Sequence, residues 1–320
     1  MVRDRTYSEF THRMHTANVH EIWIKPLRNS ALDNSFIDQA AQDGARDLRS
    51  AFRRGEDITE RISTEISKYK FYHEFEIIPG VRVVGERWAM LHQGAFSQAV
   101  SSVNFNGKRV IDVGCRDGAM LFHAEEQGAG ELVGVDNDPS TGLANFLVPF
   151  RGPKISCYGG NLYDLTPAEM GKFDIVICCG LLYHLRYPMF GIRKLVDLLA
   201  DDGILILETG ILNAFADFPL LFYPYMAESP YDGTSPTFFN LAGLKNAFLQ
   251  ASLSSPKVEN RFNPHTFDPG KHFPIFTQGR GASTMTITRT IVTANKAKPE
   301  SISVDRYFEG RHSFHTTGTF

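Results

Sequence analysis

Between residues 108 and 209, short apolar segments alternate with amphipathic ones. The apolar runs predict strands at 108–114, 131–138, 154–162, 172–180 and 203–209. The segments between them predict helices at 118–128, 140–150 and 188–203. Alternation at this spacing indicates a parallel α/β sheet that helices cover on both faces. Two later apolar segments, 256–262 and 283–295, would complete a seven-stranded, mostly parallel sheet.

The remaining sequence divides around this core. Residues 1–85 are polar and helix-like and end in an extended lead-in, so they predict a helical N-terminal cap. The core domain is expected over 86–298. It contains an insertion at 211–240 that is rich in aromatic residues, Pro and Gly and too long for an ordinary connection. Residues 299–320 read as a polar C-terminal tail.

The charge and the cysteine content of the chain indicate which binding partners and which cellular compartment to expect. The chain has 33 basic and 36 acidic residues, a net charge of −3, and no basic run, so nucleic-acid binding is not favoured. The sequence has no apolar stretch of about 18 residues, so no membrane span is expected. Its first residues include no apolar segment of the kind found in a secretory signal, so none is expected. A cytoplasmic protein is expected. Its four cysteines are expected to be buried, reduced thiols: Cys115, Cys157, Cys178 and Cys179.

The first core strand ends in VIDVGCRDG, residues 110–118. Gly114 permits a tight turn close to a ligand, and Asp112 stands just before it. Asp136 ends the second strand, where a carboxylate can accept both hydroxyls of a ribose. Arg116 replaces a glycine of the dinucleotide fingerprint, and Asp117 stands where a diphosphate would approach. The pattern therefore favours a cofactor with a ribose and a cationic amino-acid end over NAD or FAD.

Taken together, these segments resemble class I S-adenosylmethionine (SAM)-dependent methyltransferases over residues 105–295. The resemblance rests on VIDVGCRDG, VGVDND, GNLYD, FDIVICCGLLYH and GILILE, in that order. It implies a Rossmann-like fold and SAM as the cofactor. The predicted cofactor-binding residues are Asp112 and Gly114 beside the methionine end, Asp136 at the ribose, Asn161 and Leu162 at the adenine, and Gly180, whose carbonyl would meet the amino group. Asp117 and Asn137 are further predicted cofactor-binding residues.

A narrower resemblance involves GLLYHLRYP, residues 180–188, the segment from there to Thr209, and the lead-in FYHEFEIIPGVRVVGE. These are similar to the tRNA wobble-uridine carboxymethyltransferase family. In that family the motif tyrosine contacts the activated group of a carboxylated SAM, and a lysine before the first core strand holds the carboxylate. Residues 86–100 contain no lysine, although Arg82 or Arg87 could substitute. The sequence therefore predicts a relative that has kept the scaffold and changed its substrate.

Methyl transfer is an in-line displacement that depends mainly on positioning the reactants. His184 is the candidate base, because an imidazole titrates near neutral pH. Its structural alternative is a ring nitrogen bonded to a backbone carbonyl. Tyr183 is expected to line the pocket, and Glu208 could orient the acceptor or a base. Arg186 could bind a carboxylate or phosphate of the substrate.

The insertion is expected to supply a substrate wall through Tyr223 and Tyr225, with Tyr231 as a further candidate. No metal site is expected. His12, His15 and His20 read as part of a polar helix face, and the histidines near residue 268 lie in a Pro/Gly loop.

Three functions follow from these patterns. The first is methyl transfer to an O, N or S atom of a small-molecule metabolite, supported by the charge balance and the aromatic insertion. The second is tRNA wobble-uridine modification, for which steep salt dependence of tRNA binding would be the mark. The third is a non-catalytic partner subunit, which failure to bind SAM would indicate. The N-terminal region leaves homo-oligomerisation open.

Overall fold

The computed structural model describes residues 32–152, 154–225, 228–268 and 284–297. The whole of the predicted polar tail at 299–320, the histidines at positions 12, 15 and 20, and His272 lie outside these residues. The described residues build one central sheet, a separate hairpin and the helices that cover them.

Five parallel strands form the centre of the sheet, in the spatial order β6-β5-β4-β7-β8. Two long strands, β12 and then β11, continue antiparallel from β8. The short strands β1, β9 and β10 join at the margins, and β2 pairs with β3 as the hairpin. The strands are β1 Leu32–Asp33, β2 Phe75–Ile78, β3 Val81–Val83, β4 Arg109–Val113, β5 Glu131–Asp136, β6 Ile155–Gly160, β7 Phe173–Cys179, β8 Leu199–Leu212, β9 Leu221–Phe222, β10 Phe238–Phe239, β11 Lys257–Phe267 and β12 Met285–Asn295.

Helices pack on both faces of the sheet, as the alternating pattern predicts. They are α1 Gln39–Arg53, α2 Thr59–Ile66, α3 Arg87–Ala99, α4 Ala119–Glu126, α5 Val148–Arg151, α6 Pro167–Met170, α7 Pro188–Leu198 and α8 Leu241–Gln250. Each face has its own apolar core, because the parallel strands are buried on both sides. The mostly parallel α/β sheet is therefore confirmed. The predicted count of seven omits the two-residue strands at the margins.

Two helices differ from the prediction. The segment expected to be helical over 188–203 leaves the helix after Leu198, where Leu199 is already extended and begins β8. The segment 140–150 contains a π-helical turn at Leu143–Leu147 before α5 begins. The first difference arises at a helix end, where local sequence signals are weakest, and the second lies inside the predicted helical segment.

The strand registers bring the chemistry-bearing residues to one edge. Asp112 of β4 lies opposite Gly134 of β5 and Ile177 of β7, and Cys179 lies opposite Glu208. Since parallel strands end at a common edge, the loops after β4, β5 and β7 meet beside Glu208. The N-terminal region closes this edge from one side. Asp117 accepts the backbone N–H groups of Tyr72 and His73 and so fixes the lead-in against the loop after β4.

Candidate active site

A cavity of about 450 Å³ lies at the carboxyl edge of the parallel strands. This volume falls in the range typical of small-molecule and cofactor sites. Its walls come from the strand ends, from the lead-in, from α3, from the insertion and from β12. Among the lining residues are Tyr72, His73, His92, Asp112, Gly114, Asp136, Asn137, Gly180, Tyr183, His184, Glu208, Tyr231, Asp232, Thr234 and Arg289.

Many of the predicted site residues meet in this cavity. They are Asp112, Gly114, Asp136, Asn137 and Gly180 of the expected cofactor site, and Tyr183, His184 and Glu208 of the expected transfer site. Gly114 and Gly180 have φ of 87° and 73°, which glycine adopts without strain. A Cβ on Gly180 would lie 3.5 Å from a guanidinium nitrogen of Arg289. The backbone therefore passes close to the charged groups of the site.

Several other predicted residues lie outside the cavity lining. Asp117 is buried under the lead-in that it anchors. Asn161 accepts the backbone N–H of Tyr163 at 2.9 Å and caps a short 3₁₀ helix, and Leu162 is buried in the apolar core. None of the three lines the cavity, and their expected contacts with the cofactor stay predictions.

The predicted substrate residues Arg186, Tyr223 and Tyr225 are exposed at the surface and do not line the cavity. Tyr223 and Tyr225 are 52% and 73% exposed. The insertion contributes Tyr231 to the cavity wall instead, with its ring edge-on to that of Tyr183 at 5.8 Å. A run of tyrosines in a loop does not encode which of them turns inward.

Asp112 is a buried carboxyl, and neither of its oxygens has a hydrogen-bond partner among the described residues. Burial, reinforced by the nearby Asp136, raises the pKa of Asp112 to about 8. A buried acid without partners is costly unless a ligand supplies donors. The α-ammonium group of SAM is such a donor, so this residue fits the predicted cofactor.

Asp136 is held in place by two backbone N–H groups, those of Arg116 at 2.9 Å and Asp138 at 2.8 Å. Each of its oxygens keeps a further lone pair for a ribose hydroxyl. Arg116 has a φ of 48°, and its guanidinium turns outward to the Asp138 carboxylate at 2.6 Å. Arg116, which stands where the dinucleotide fingerprint has a glycine, therefore leaves Asp136 in place as the predicted ribose ligand.

His184 is fixed by its Nδ1 atom, which lies 2.9 Å from the carbonyl oxygen of Thr234. Since a carbonyl only accepts, Nδ1 carries the proton and Nε2 keeps its lone pair. Asp232 shapes the turn that presents this carbonyl, because it accepts bonds from the Thr234 N–H, the Thr234 hydroxyl and the Ser235 hydroxyl. His184 therefore makes the hydrogen bond expected as its structural alternative, and its Nε2 atom can still accept a proton.

Burial lowers the pKa of His184 below its usual range, although the Thr234 carbonyl and Asp232 oppose this effect. The neutral imidazole therefore predominates at neutral pH. His92 on α3 also lines the cavity, and burial, with a further contribution from Arg289, lowers its pKa to about 4. Both rings face the site as uncharged groups at neutral pH.

Glu208 forms a two-pronged ion pair with Arg289, in which Nε and Nη2 each donate to one carboxylate oxygen. Both side chains are 3% exposed. Each Glu208 oxygen thus accepts one bond from Arg289, and the expected role of Glu208 in orienting the acceptor or a base stays a prediction. The guanidinium also lies over the Tyr183 ring at 4.7 Å from its centroid.

Arg289 is the site residue that sequence reasoning missed. It lies on β12 opposite Gly210 of β8, so it shares a face of the sheet with Glu208 two residues along that strand. The signal was an arginine in the middle of the otherwise uncharged strand MTITRTIVTAN. Of the two substitutes considered from sequence, Arg82 does not line the cavity and pairs with Glu74 at 3.0 Å, and Arg87 is the first residue of α3.

The described residues contain no group of three or more His, Cys, Asp or Glu side chains able to hold a metal ion. No helix in the same part of the chain is long and apolar enough to cross a membrane.

Comparison with known proteins adds three findings. A family profile described as "Methyltransferase domain" matches residues 88–254, just over half of the chain. The tRNA U34 carboxymethyltransferase of Helicobacter acinonychis is 33% identical over 162 residues, 49% of this chain and 55% of that protein. The protein of the same name from Ectopseudomonas mendocina is 34% identical over 117 residues, 36% of each chain. The chain spans about half the length of the curated relatives it matches, or less.

Among solved structures, the N-terminal domain of EvdMO1 with SAH bound aligns with a TM-score of 0.51 and 18% identity. The alignment covers 83% of this chain and all of that domain. At 18% identity, this similarity shows a shared fold and nothing further.

Proposed function

Because the chain belongs to the methyltransferase-domain family, and is a SAM-dependent enzyme of that family, we propose that its acceptor is a nucleoside in RNA, with the tRNA wobble uridine as the first candidate. The observation that carries this proposal is the similarity to tRNA U34 carboxymethyltransferases, at 32–35% identity. It favours the second of the acceptor classes expected from the sequence over a small metabolite.

The cofactor half of the cavity is suited to holding SAM. Asp136 accepts the ribose hydroxyls, Asp112 pairs with the ammonium group, and Gly114 and Gly180 let the backbone approach closely. SAM, when bound, supplies an electrophilic group on a sulfonium. The protein contributes orientation and exclusion of water, which are the main requirements of an in-line displacement.

The acceptor half contains a candidate base, His184, and a buried cation, Arg289. His184 Nε2 has the lone pair to take a proton from an acceptor hydroxyl. Arg289 donates two N–H groups to Glu208 and reaches the Tyr231 hydroxyl at 3.4 Å, so further donors of its five N–H groups remain. These donors suit an acceptor oxygen or a carboxylate on the transferred group. Arg289 would then supply the positive charge for which residues 86–100 offer no lysine.

The direct test uses the full chain, SAM labelled in its methyl group, and bulk tRNA. We expect label to enter tRNA, and mass spectrometry of the digested nucleosides to find it on a uridine derivative. The mass increment should equal one methyl group, since SAM supplies no more, and a parallel reaction with carboxylated SAM tests for transfer of a carboxymethyl group. Asp136→Ala is the matched negative control. Label that stays out of tRNA but enters a metabolite extract would overturn the proposal.

A small-molecule acceptor is the second candidate, and the cover over the cavity favours it. Tyr231, Asp232 and Thr234 of the insertion wall the site, and the net charge of −3 gives no general attraction to phosphate. Salt dependence separates the two candidates. An RNA substrate predicts a steep loss of binding as salt rises, whereas an uncharged metabolite predicts almost none.

Asp112→Asn is expected to weaken SAM binding by about 10- to 100-fold, because it removes a charged hydrogen-bond partner from a buried site. Since the pKa of Asp112 is about 8 without ligand, the carboxyl is mostly protonated at pH 7. Pairing with an ammonium group favours its ionised form, so binding should release a proton, and affinity should rise with pH toward 8.

Calorimetry in buffers of different ionisation enthalpy measures both the affinity and this proton release. The control is Asp201→Asn, which removes a fully exposed acid far from the cavity. A wild-type protein that binds SAM without releasing a proton, or an Asp112→Asn variant that releases as many, would contradict the assignment.

A further inference from the structure

Three aromatic side chains form a cluster at the surface: Tyr163, Tyr187 and Phe190. We refer to them as the aromatic platform. The Tyr163 ring lies 6.2 Å from that of Tyr187 and 5.5 Å from that of Phe190, measured between centroids. The Tyr187 N–H donates to the Tyr163 hydroxyl at 3.1 Å, which fixes the two residues against each other.

The platform faces solvent although it is apolar. Tyr187 is 53% exposed and Phe190 49%. Contiguous exposed apolar surface on a folded domain usually marks an interaction site. The members are aromatic rather than aliphatic, and two of them carry a hydroxyl. Such a surface favours a partner with flat π-systems and polar edges.

Cationic side chains lie close to the platform in the sequence. Arg186 and Lys194 are each four residues from Phe190. The Lys194 ammonium lies 5.9 Å from the centre of the Phe190 ring, and Arg193 pairs with Asp197 at 3.0 Å. Cations interleaved with exposed aromatic rings are typical of surfaces that bind single-stranded nucleic acid.

The position of the platform connects it to the reaction. Tyr187 lies three residues after His184, at the start of α7, and Tyr163 lies in the 3₁₀ helix that follows β6. Both therefore lie at the carboxyl edge of the sheet, where the cavity opens. A strand of RNA that reaches the cavity with one base can place its neighbouring bases on this surface.

We propose that the aromatic platform binds unpaired bases of the RNA substrate by stacking, with Arg186 and Lys194 contacting the flanking phosphates. This inference rests on the proposed function, because it supplies the RNA contact that the net charge of the chain does not. RNA-modifying proteins read unpaired nucleotides on aromatic and arginine side chains in this way.

The test measures binding of fluorescein-labelled oligouridine and of bulk tRNA by anisotropy. Phe190→Ala and Tyr187→Ala should each weaken binding roughly 5- to 100-fold, the range expected for losing one stacked base. Tyr187→Phe should retain near wild-type affinity, because the ring remains. Arg186→Gln should reduce the slope of affinity against salt by about one. The matched control is Phe52→Ala, since Phe52 is 43% exposed but lies on α1.

Thermal unfolding and calorimetric SAM binding report whether each variant is folded. If the wild type modifies tRNA but the platform variants bind RNA as well as Phe52→Ala does, the platform inference fails and the proposed function stands. If the wild type neither binds nor modifies RNA, the proposed function fails. A platform that instead mediates self-association would appear as a dimer lost in Phe190→Ala with RNA affinity unchanged, and this also overturns the inference.

Discussion

Glu208→Ala is expected to lower the free energy of unfolding by about 3–5 kcal/mol, the usual cost of removing one partner of a buried ion pair. The variant leaves Arg289 buried with no carboxylate beside it, and both side chains are 3% exposed in the native fold. Urea unfolding followed by circular dichroism measures the change.

The control for Glu208→Ala is Asp43→Ala, which breaks an exposed ion pair with Arg46. That pair should contribute no more than about 1 kcal/mol. The double variant Glu208→Leu/Arg289→Met should recover much of the lost stability, because a buried pair can be replaced by apolar groups. It should not recover transfer activity, since the cavity then lacks its cation. A loss as small as that of Asp43→Ala would show that the pair is not buried as described.

His184→Ala is expected to reduce the rate of transfer about 100- to 10,000-fold, the range for losing a general base. Single-turnover kinetics with saturating SAM isolates this step from binding. The wild-type rate should rise with pH as His184 loses its proton and then level off. Because burial holds the pKa of His184 below its usual value, the plateau should already cover neutral pH.

Asp232→Asn tests the same assignment through a neighbouring charge. Asn retains an oxygen that can accept the bonds from Thr234 and Ser235, so the turn should persist. Asp232 raises the pKa of His184, so its neutralisation should move the rising limb of the pH profile to lower pH. The exposed Asp217→Asn in the same insertion is the control. His184 would not be the base if the rising part of the pH profile stayed in place in Asp232→Asn. The same conclusion would follow if that rise persisted in His184→Ala.

The local sequence was sufficient to predict the parallel strands of this protein. The spacing of apolar runs predicts the parallel strands, because a strand buried on both faces needs an unbroken apolar segment. Asp112, Gly114, Asp136 and Gly180 were found for a related reason. Asp112 and Asp136 lie at or near the ends of β4 and β5, and Gly114 and Gly180 directly follow β4 and β7. Parallel strands end at one edge whatever the details of packing.

The tertiary structure decided which side chains act together. Arg289 and Glu208 are 81 residues apart and meet only because of the antiparallel register between β12 and β8. The proton position on His184 depends on a carbonyl 50 residues away in the insertion. The inward turn of Tyr231 and the exposure of Tyr223 depend on how the insertion packs. Strand endings are set by patterns within a few residues, whereas side-chain partners depend on register and long-range packing, which those patterns do not contain.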